Sequence, residues 1–270
     1  MSSDRPDCSP GAPRGLRVLV TRPREQGAQW VQRLRAAHVD AVALPLIEIG
    51  AAPDSVALAT AWSGLAAHRL VFFVSPNAAQ AFFAAAPSGA PWPAGLRAAS
   101  PGPGTTEALV ALGVPETQID APADDAAQFD SEALWARLQA RDWHHTSVLV
   151  VRGSGGRDWL AARLIESGAQ VASVAAYERG APRLDPAETE RLAAALVDPA
   201  AHVWLFSSSE AIDRLEALVA DRGAVAWSAA HAVATHPRIA ARARRLGIAD
   251  VRECRADAAA VLACIQSIRT

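Results

Sequence analysis

The side chains of this chain that could do chemistry sit in short turns rich in Ser, Thr, Gly and Pro, each placed just after an apolar run. They are Thr21-Arg22, Ser75-Pro76-Asn77, Gly102-Pro103-Gly104-Thr105, Arg152-Gly153-Ser154-Gly155-Gly156-Arg157, Ser207-Ser208-Ser209 and His236-Pro237-Arg238. Each turn precedes a helical pattern, and a helix start offers free backbone N–H groups to an anion. Six such turns predict a polyanionic ligand held largely by backbone, with Thr21, Arg22, Ser75, Asn77, Gly104, Thr105, Arg152, Gly153, Ser154, Gly155, Arg157, Ser207, Ser208 and His236 as its binding residues. The competing reading is plain capping and turn formation, for which the same residue types are suited. Arg22 and Arg152 could each meet a carboxylate with two parallel hydrogen bonds, or pair with a local acid. Tyr177 is the chain's one tyrosine. It is the candidate proton donor or hydrogen-bonding catalyst; its alternative is ordinary strand packing.

Several chemistries are excluded or disfavoured. All 26 basic residues are arginine, so there is no lysine for a Schiff base, for pyridoxal phosphate or for a P-loop. Gly153 to Asp158 begins like a dinucleotide fingerprint, but Asp158 occupies the place of the third glycine, which counts against a nicotinamide or flavin enzyme. Cys8, Cys254 and Cys264 are scattered without CxxC spacing, so neither a disulfide framework nor a zinc site is expected, and a reducing compartment fits. His144-His145 finds no third ligand at metal spacing. No metal and no cofactor are expected. The formal charge of -2 gives no reason to expect nucleic acid or a membrane surface. The N-terminus has no apolar signal-like core and no run reaches membrane-spanning length, so a cytoplasmic protein, acting as a monomer, is the expectation.

The elements that must position these turns alternate strand with helix along 270 residues, which predicts parallel sheets flanked by helices. One unit is repeated. Thr146 to Glu178 (TSVLVVRGSGGRDWLAARLIESGAQVASVAAYE) aligns without a gap on Leu16 to Glu48, matching Val18, Leu19, Val20, Arg22, Arg33, Leu34 and Glu48 with Val148, Leu149, Val150, Arg152, Arg163, Leu164 and Glu178. Both copies read as strand, turn, helix, strand. Val42 to Ile49 reads as one buried strand broken at Pro45, a crossing or edge position. Residues 1–14 are polar with Pro and Gly and read as disordered.

The ordered set of motifs resembles the uroporphyrinogen-III synthase family. It comprises VLVTRPREQ (Val18 to Gln26) with Leu44-Pro45, FFVSPNAAQAFF (Phe72 to Phe83), GPGTTEAL (Gly102 to Leu109), VLVVRGSGGRDWL (Val148 to Leu160) leading to Tyr177-Glu178-Arg179, WLFSSSEAI (Trp204 to Ile212) and ATHPRIAARARRLG (Ala234 to Gly247). The resemblance implies two similar α/β domains joined by two crossing strands, with exchanged β-α-β units. Residues 15–47 plus 178–270 would form one domain and residues 48–177 the other, the crossings falling near Leu46 to Gly50 and Ala175 to Arg179. It implies a linear tetrapyrrole substrate, hydroxymethylbilane, bearing eight carboxylates. The substrate would lose its hydroxymethyl oxygen as water and close with inversion of ring D through a spiro intermediate, without metal or cofactor. Tyr177 would assist the departing hydroxyl at the cleft. Thr105 matches the family's cleft threonine, and Ser75 and Ser208 match its strand-end serines. In the second half Ile239 stands at Thr105's counterpart position, so the domains need not contribute equally. The alternatives are a two-lobed cytoplasmic binding protein for an anionic small molecule and a nucleotide-dependent oxidoreductase.

Overall fold

The computed structural model describes residues 15–268; the expected disorder of residues 1–14 lies outside them. In chain order the strands and helices begin with β1 (Arg17–Val20), α1 (Arg24–Ala36), β2 (Ala41–Ala43), β3 (Glu48–Gly50), α2 (Ser55–Ser63), β4 (Leu70–Phe73), α3 (Pro76–Ala84), β5 (Arg97–Ala99) and α4 (Pro103–Ala111). Next come β6 (Ile119–Asp120), α5 (Ser131–Leu138), β7 (Ser147–Gly153), α6 (Trp159–Glu166) and β8 (Gln170–Gly180). The chain then forms α7 (Pro186–Val197), β9 (His202–Phe206), α8 (Ser209–Val219), β10 (His231–Ala234), α9 (Pro237–Leu246), β11 (Asp250–Glu253) and α10 (Ala258–Ile268). No helix among the described residues is long and apolar enough to cross a membrane.

Two sheets result, ordered β2-β1-β9-β10-β11 and β3-β8-β7-β4-β5-β6. Every pairing is parallel except β3 with the end of β8. Laid side by side, β1-α1-β2 holds in the first sheet the place that β7-α6-β8 holds in the second. The repeat is therefore an exchange: the first unit joins the C-terminal third, and its twin joins the middle of the chain. Leu44 and Leu46 still donate backbone bonds to Val20 and Thr21, but Pro45 has no N–H to give. The expected single strand over 42–49 is thus two strands in different sheets. The chain leaves the first sheet through residues 44–47, and β8 returns beside it with Glu48 opposite Gly180 and Gly50 opposite Glu178.

Strand alternation explains the packing. Leu19 faces the layer of α7, α8 and α9, whereas Val18 and Val20 face α1 and α10. In the second sheet Val71 and Phe73 face α2, α3 and α4, and Leu70 and Phe72 face α5 and α6. All four residues of β4 and all five of β9 are buried, as parallel strands covered on both faces must be. Proline at the first turn of α3, α4 and α9 sets each helix start, so these helices begin earlier than apolar periodicity alone suggests. The short edge strands β6 and β11 carry too few apolar residues to be recognised from pattern. This architecture aims the carboxyl ends of both sheets at each other.

Candidate active-site cleft between the two sheets

Between these ends lies a cleft of about 600 Å³. The residues that cap α1, α3, α4, α5, α8 and α9 at their N-termini (Pro23, Ser75, Gly102, Asp130, Ser208 and His236) all line it. Six helix starts converging on one space create a field that favours anions. Three caps also show why these sequences start helices: Ser75 Oγ accepts from Ala78 N–H, Ser208 Oγ from Glu210 N–H, and Asp130 Oδ1 from Ala133 N–H.

Arg22 is the cation this field adds to. Its guanidinium stacks 4.8 Å from the centre of the Trp30 ring, and its covered Nε has no hydrogen-bond partner. Burial, and secondarily Arg33, lowers its pKa to about 10, which still leaves it charged near neutral pH. An uncompensated cation facing a cleft is costly until an anion arrives.

The cleft is closed by polar contacts between the domains. Gln26 Nε2 donates to Asn77 Oδ1 at 2.8 Å, and Arg33 on α1 pairs with Glu107 on α4 at 2.6 Å. His236 accepts Arg238 N–H at Nδ1, so Nε2 carries the proton and donates to Asp130 Oδ2 at 3.1 Å. One histidine thereby caps α9 and holds the acid that caps α5. Glu132 takes Arg157 at 2.8 Å and Arg238 at 3.3 Å. The hydrogen bond from Arg157 holds the Glu132 carboxyl down at about 2, against opposing burial.

Of the residues expected at the site, Arg22, Ser75, Asn77, Gly104, Thr105, Arg157, Ser207, Ser208 and His236 come together at this cleft. The others do not line it, each for a physical reason. Thr21 is buried with its hydroxyl donating to Leu205 O at 2.7 Å, a strand-to-strand tie. Arg152 is taken by Asp158 and by Gly156 O. Ser154 and Gly155 are exposed at the outer side of the turn, and Ser154 N–H is spent on Tyr177 O. Gly153 serves the core: a Cβ there would stand 2.8 Å from Tyr177 Cζ.

Tyr177 itself stands behind the cleft lining. It is fully buried and does not line the cleft, because a shift in the β7–β8 register sets it opposite Gly153, under that residue's backbone. Its hydroxyl reaches the cleft only through two neighbours that line it, Ser75 and Arg179. Sequence reasoning missed Arg179, which joins Tyr177 to Glu210 on α8. It also missed Gln26, Trp30, Arg33, Glu107 and Asp130. Trp30 and Gln26 fall on the buried face of α1, and only three-dimensional placement shows that this face ends at the cleft.

Residues 28–263 match the family model described as Uroporphyrinogen-III synthase HemD. The chain belongs to the uroporphyrinogen-III synthase family. It is 34% identical over 174 residues to the uroporphyrinogen-III synthase of Salmonella typhimurium, an alignment covering 64% of this chain and 69% of that one. The corresponding enzyme of Proteus mirabilis is 31% identical over 167 residues, covering 61% and 80%. Two solved structures share the fold: the Thermus thermophilus uroporphyrinogen III synthase mutant (TM-score 0.55, 15% identity, covering 94% of this chain and 98% of that one) and the Helicobacter pylori enzyme (TM-score 0.58, 16% identity, covering 94% and 100%). The function is therefore uroporphyrinogen-III synthase, in porphyrin biosynthesis on a tetrapyrrole substrate, and the binding-protein alternative gives way to it.

Proposed function

We propose that the chain is a hydro-lyase that takes hydroxymethylbilane into the inter-domain cleft, releases its hydroxymethyl oxygen as water and closes the ring with ring D inverted. The observation that carries this reading is the convergence of six helix N-termini and the unpaired Arg22 on one space, a receptor suited to a ligand with many carboxylates. Such a substrate closes unaided to the symmetric isomer. The cleft's work is then to hold a conformation from which the inverted product forms, catalysis by position more than by bond activation.

In this reading Arg22 grips one carboxylate, and the free N–H groups of Ser75, Asn77, Gly104, Ser207, Ser208 and His236 receive others. Thr105 is buried at the third position of α4 with its side chain on the cleft, where Ile239 of α9 presents only hydrocarbon. This asymmetry suits a substrate whose two ends are treated differently. Domain boundaries at residues 47/48 and 177/178 fit the crossing segments, with 15–47 plus 178–270 in one domain and 48–177 in the other. A monomer acting on a small molecule in the cytoplasm, with no nucleic acid or membrane partner, fits a cleft assembled from a single chain.

Water loss is tested by oxygen labelling. With substrate carrying heavy oxygen in its hydroxymethyl group, the label should appear in water in step with formation of the type III isomer. Retained label, or only the type I isomer above the spontaneous rate, would overturn the proposal.

A further inference from the structure

The hydrogen bonds around Tyr177 have a fixed direction. Arg179 Nη2 lies 3.0 Å from the phenol oxygen, and a guanidinium can only donate. The phenol is fully buried, so its own proton needs an acceptor. Ser75 Oγ, 3.1 Å away, is that acceptor. Ser75 Oγ also accepts Ala78 N–H at 3.2 Å. With both lone pairs engaged, the single serine proton is left to point elsewhere, and Ser75 lines the cleft whereas Tyr177 does not. Behind the chain, Glu210 on α8 steadies Arg179 at 3.1 Å. Burial opposes the charge of Arg179, but Tyr177 and Glu210 hold its pKa above the ordinary value.

We propose that Ser75 is the group that hands a proton to the departing hydroxyl, with Tyr177 and Arg179 as positioning residues that resupply it. As the carbon–oxygen bond breaks, the leaving oxygen takes the Ser75 proton and departs as water. Ser75 Oγ takes the Tyr177 proton through the existing bond. The negative charge left on the phenol oxygen rests against the Arg179 guanidinium. When the last carbon–carbon bond closes the ring, the pyrrole carbon that formed it loses its proton, which returns along the same path. Substrate becomes product plus water, and the enzyme regains its starting protonation. Gly153 makes the arrangement possible, since a side chain there would occupy the place of the phenol.

The relay rests on the proposed loss of the hydroxymethyl oxygen as water, which the oxygen-label experiment tests in the unmodified enzyme independently of any variant. The relay itself is tested by single-turnover formation of the type III isomer in Ser75→Ala, Tyr177→Phe and the double variant, each first checked for native circular dichroism. Each single change should lower the rate roughly 100-fold or more, the scale of a general acid, with KM moving less than about threefold. The double variant should be no slower than the slower single one within about threefold, because the groups act in series. Ser75→Thr, which keeps the hydroxyl and the cap, should recover most of the rate. In mixtures of light and heavy water the native rate should fall along a bowed line, the mark of two protons in flight. Losses that multiply in the double variant, a straight line, or a Ser75→Ala enzyme above half the native rate would each overturn the relay.

Discussion

The turn after β1 and the turn after β7 begin as copies, an arginine at the end of the same strand in the same repeated unit, and they end in opposite states. Arg22 stacks on Trp30, lacks a partner at Nε and faces the cleft. Arg152 is claimed by Asp158 and Gly156 O within its own turn. Beyond the arginines, Pro23 begins one helix, while Gly153 opens space for a buried phenol. The repeated unit places two equivalent strand ends, and local pairing decides which of them is open to a ligand. An arginine is available to a ligand only when the fold withholds a carboxylate from it.

The largest effect should come from testing that difference directly. Arg22→Gln removes the uncompensated cation and should weaken substrate binding by roughly 1.5–3 kcal/mol, on the order of 10–100-fold in KM. Arg152→Gln removes a pairing to an exposed acid and a bond to Gly156 O within the same turn, with an expected change below about 1 kcal/mol in stability and below about threefold in KM. Steady-state kinetics on the two variants decides the matter. Equal losses would break the comparison.

A second effect separates the turns by volume. Gly153→Ala forces a methyl to within 2.8 Å of Tyr177 Cζ and 2.9 Å of Cε2, where neither the ring nor the β7 backbone has room to give. Overpacking of this kind costs about 1–3 kcal/mol and should displace the phenol from Ser75. Denaturant unfolding should report the loss. Gly155→Ala, whose Cβ would meet nothing within 4 Å, isolates the penalty of a left-handed residue, φ 88°, from that of the clash. Matching losses in stability and turnover for the two variants would remove the role given to Gly153.

Most of the fold was legible because parallel strands buried on both faces leave dense apolar runs such as Leu70–Phe73 and His202–Phe206. The Ser, Gly-Pro and His-Pro turns likewise mark where helices begin. The exchange of units was not written in the pattern: the sequence of β1-α1-β2 is the same whichever sheet it joins, and only its pairing with β9 decides. At the site, residue type identified the strand-end turns, but it could not separate Arg22 from Arg152, since Asp158 becomes a partner only once the turn is folded. Nor could it show that Tyr177 lies beneath the cleft. That depends on the register shift between Arg152 and Gly153. Arg33, Glu107 and Glu210 carry no signal as single residues, because their partners come from elements packed on the other sheet.

The smallest effect concerns acid. The second turn is fastened to the rest of the molecule by carboxylates, through Arg157 and Glu132, whereas the first turn's Arg22 has none. Arg157 holds the Glu132 carboxyl down to about 2 from an ordinary 4.5. A carboxyl with a depressed pKa stabilises the folded state fully above its unfolded value and loses that contribution as pH falls through the folded one. Between pH 4.5 and about 2, then, Glu132 should take up a proton and release Arg157 and, across the cleft, Arg238. Its neighbour Asp130 holds His236 and lies 3.8 Å from Arg238, a contact that does not run through Glu132. Unfolding midpoints measured across this range should fall less steeply in Glu132→Gln than in the native protein, since the variant has no proton to gain there. The Arg22→Gln variant should follow the native slope. A Glu132→Gln slope equal to the native one would mean that the clasp contributes nothing, and that the two turns differ at their arginines alone.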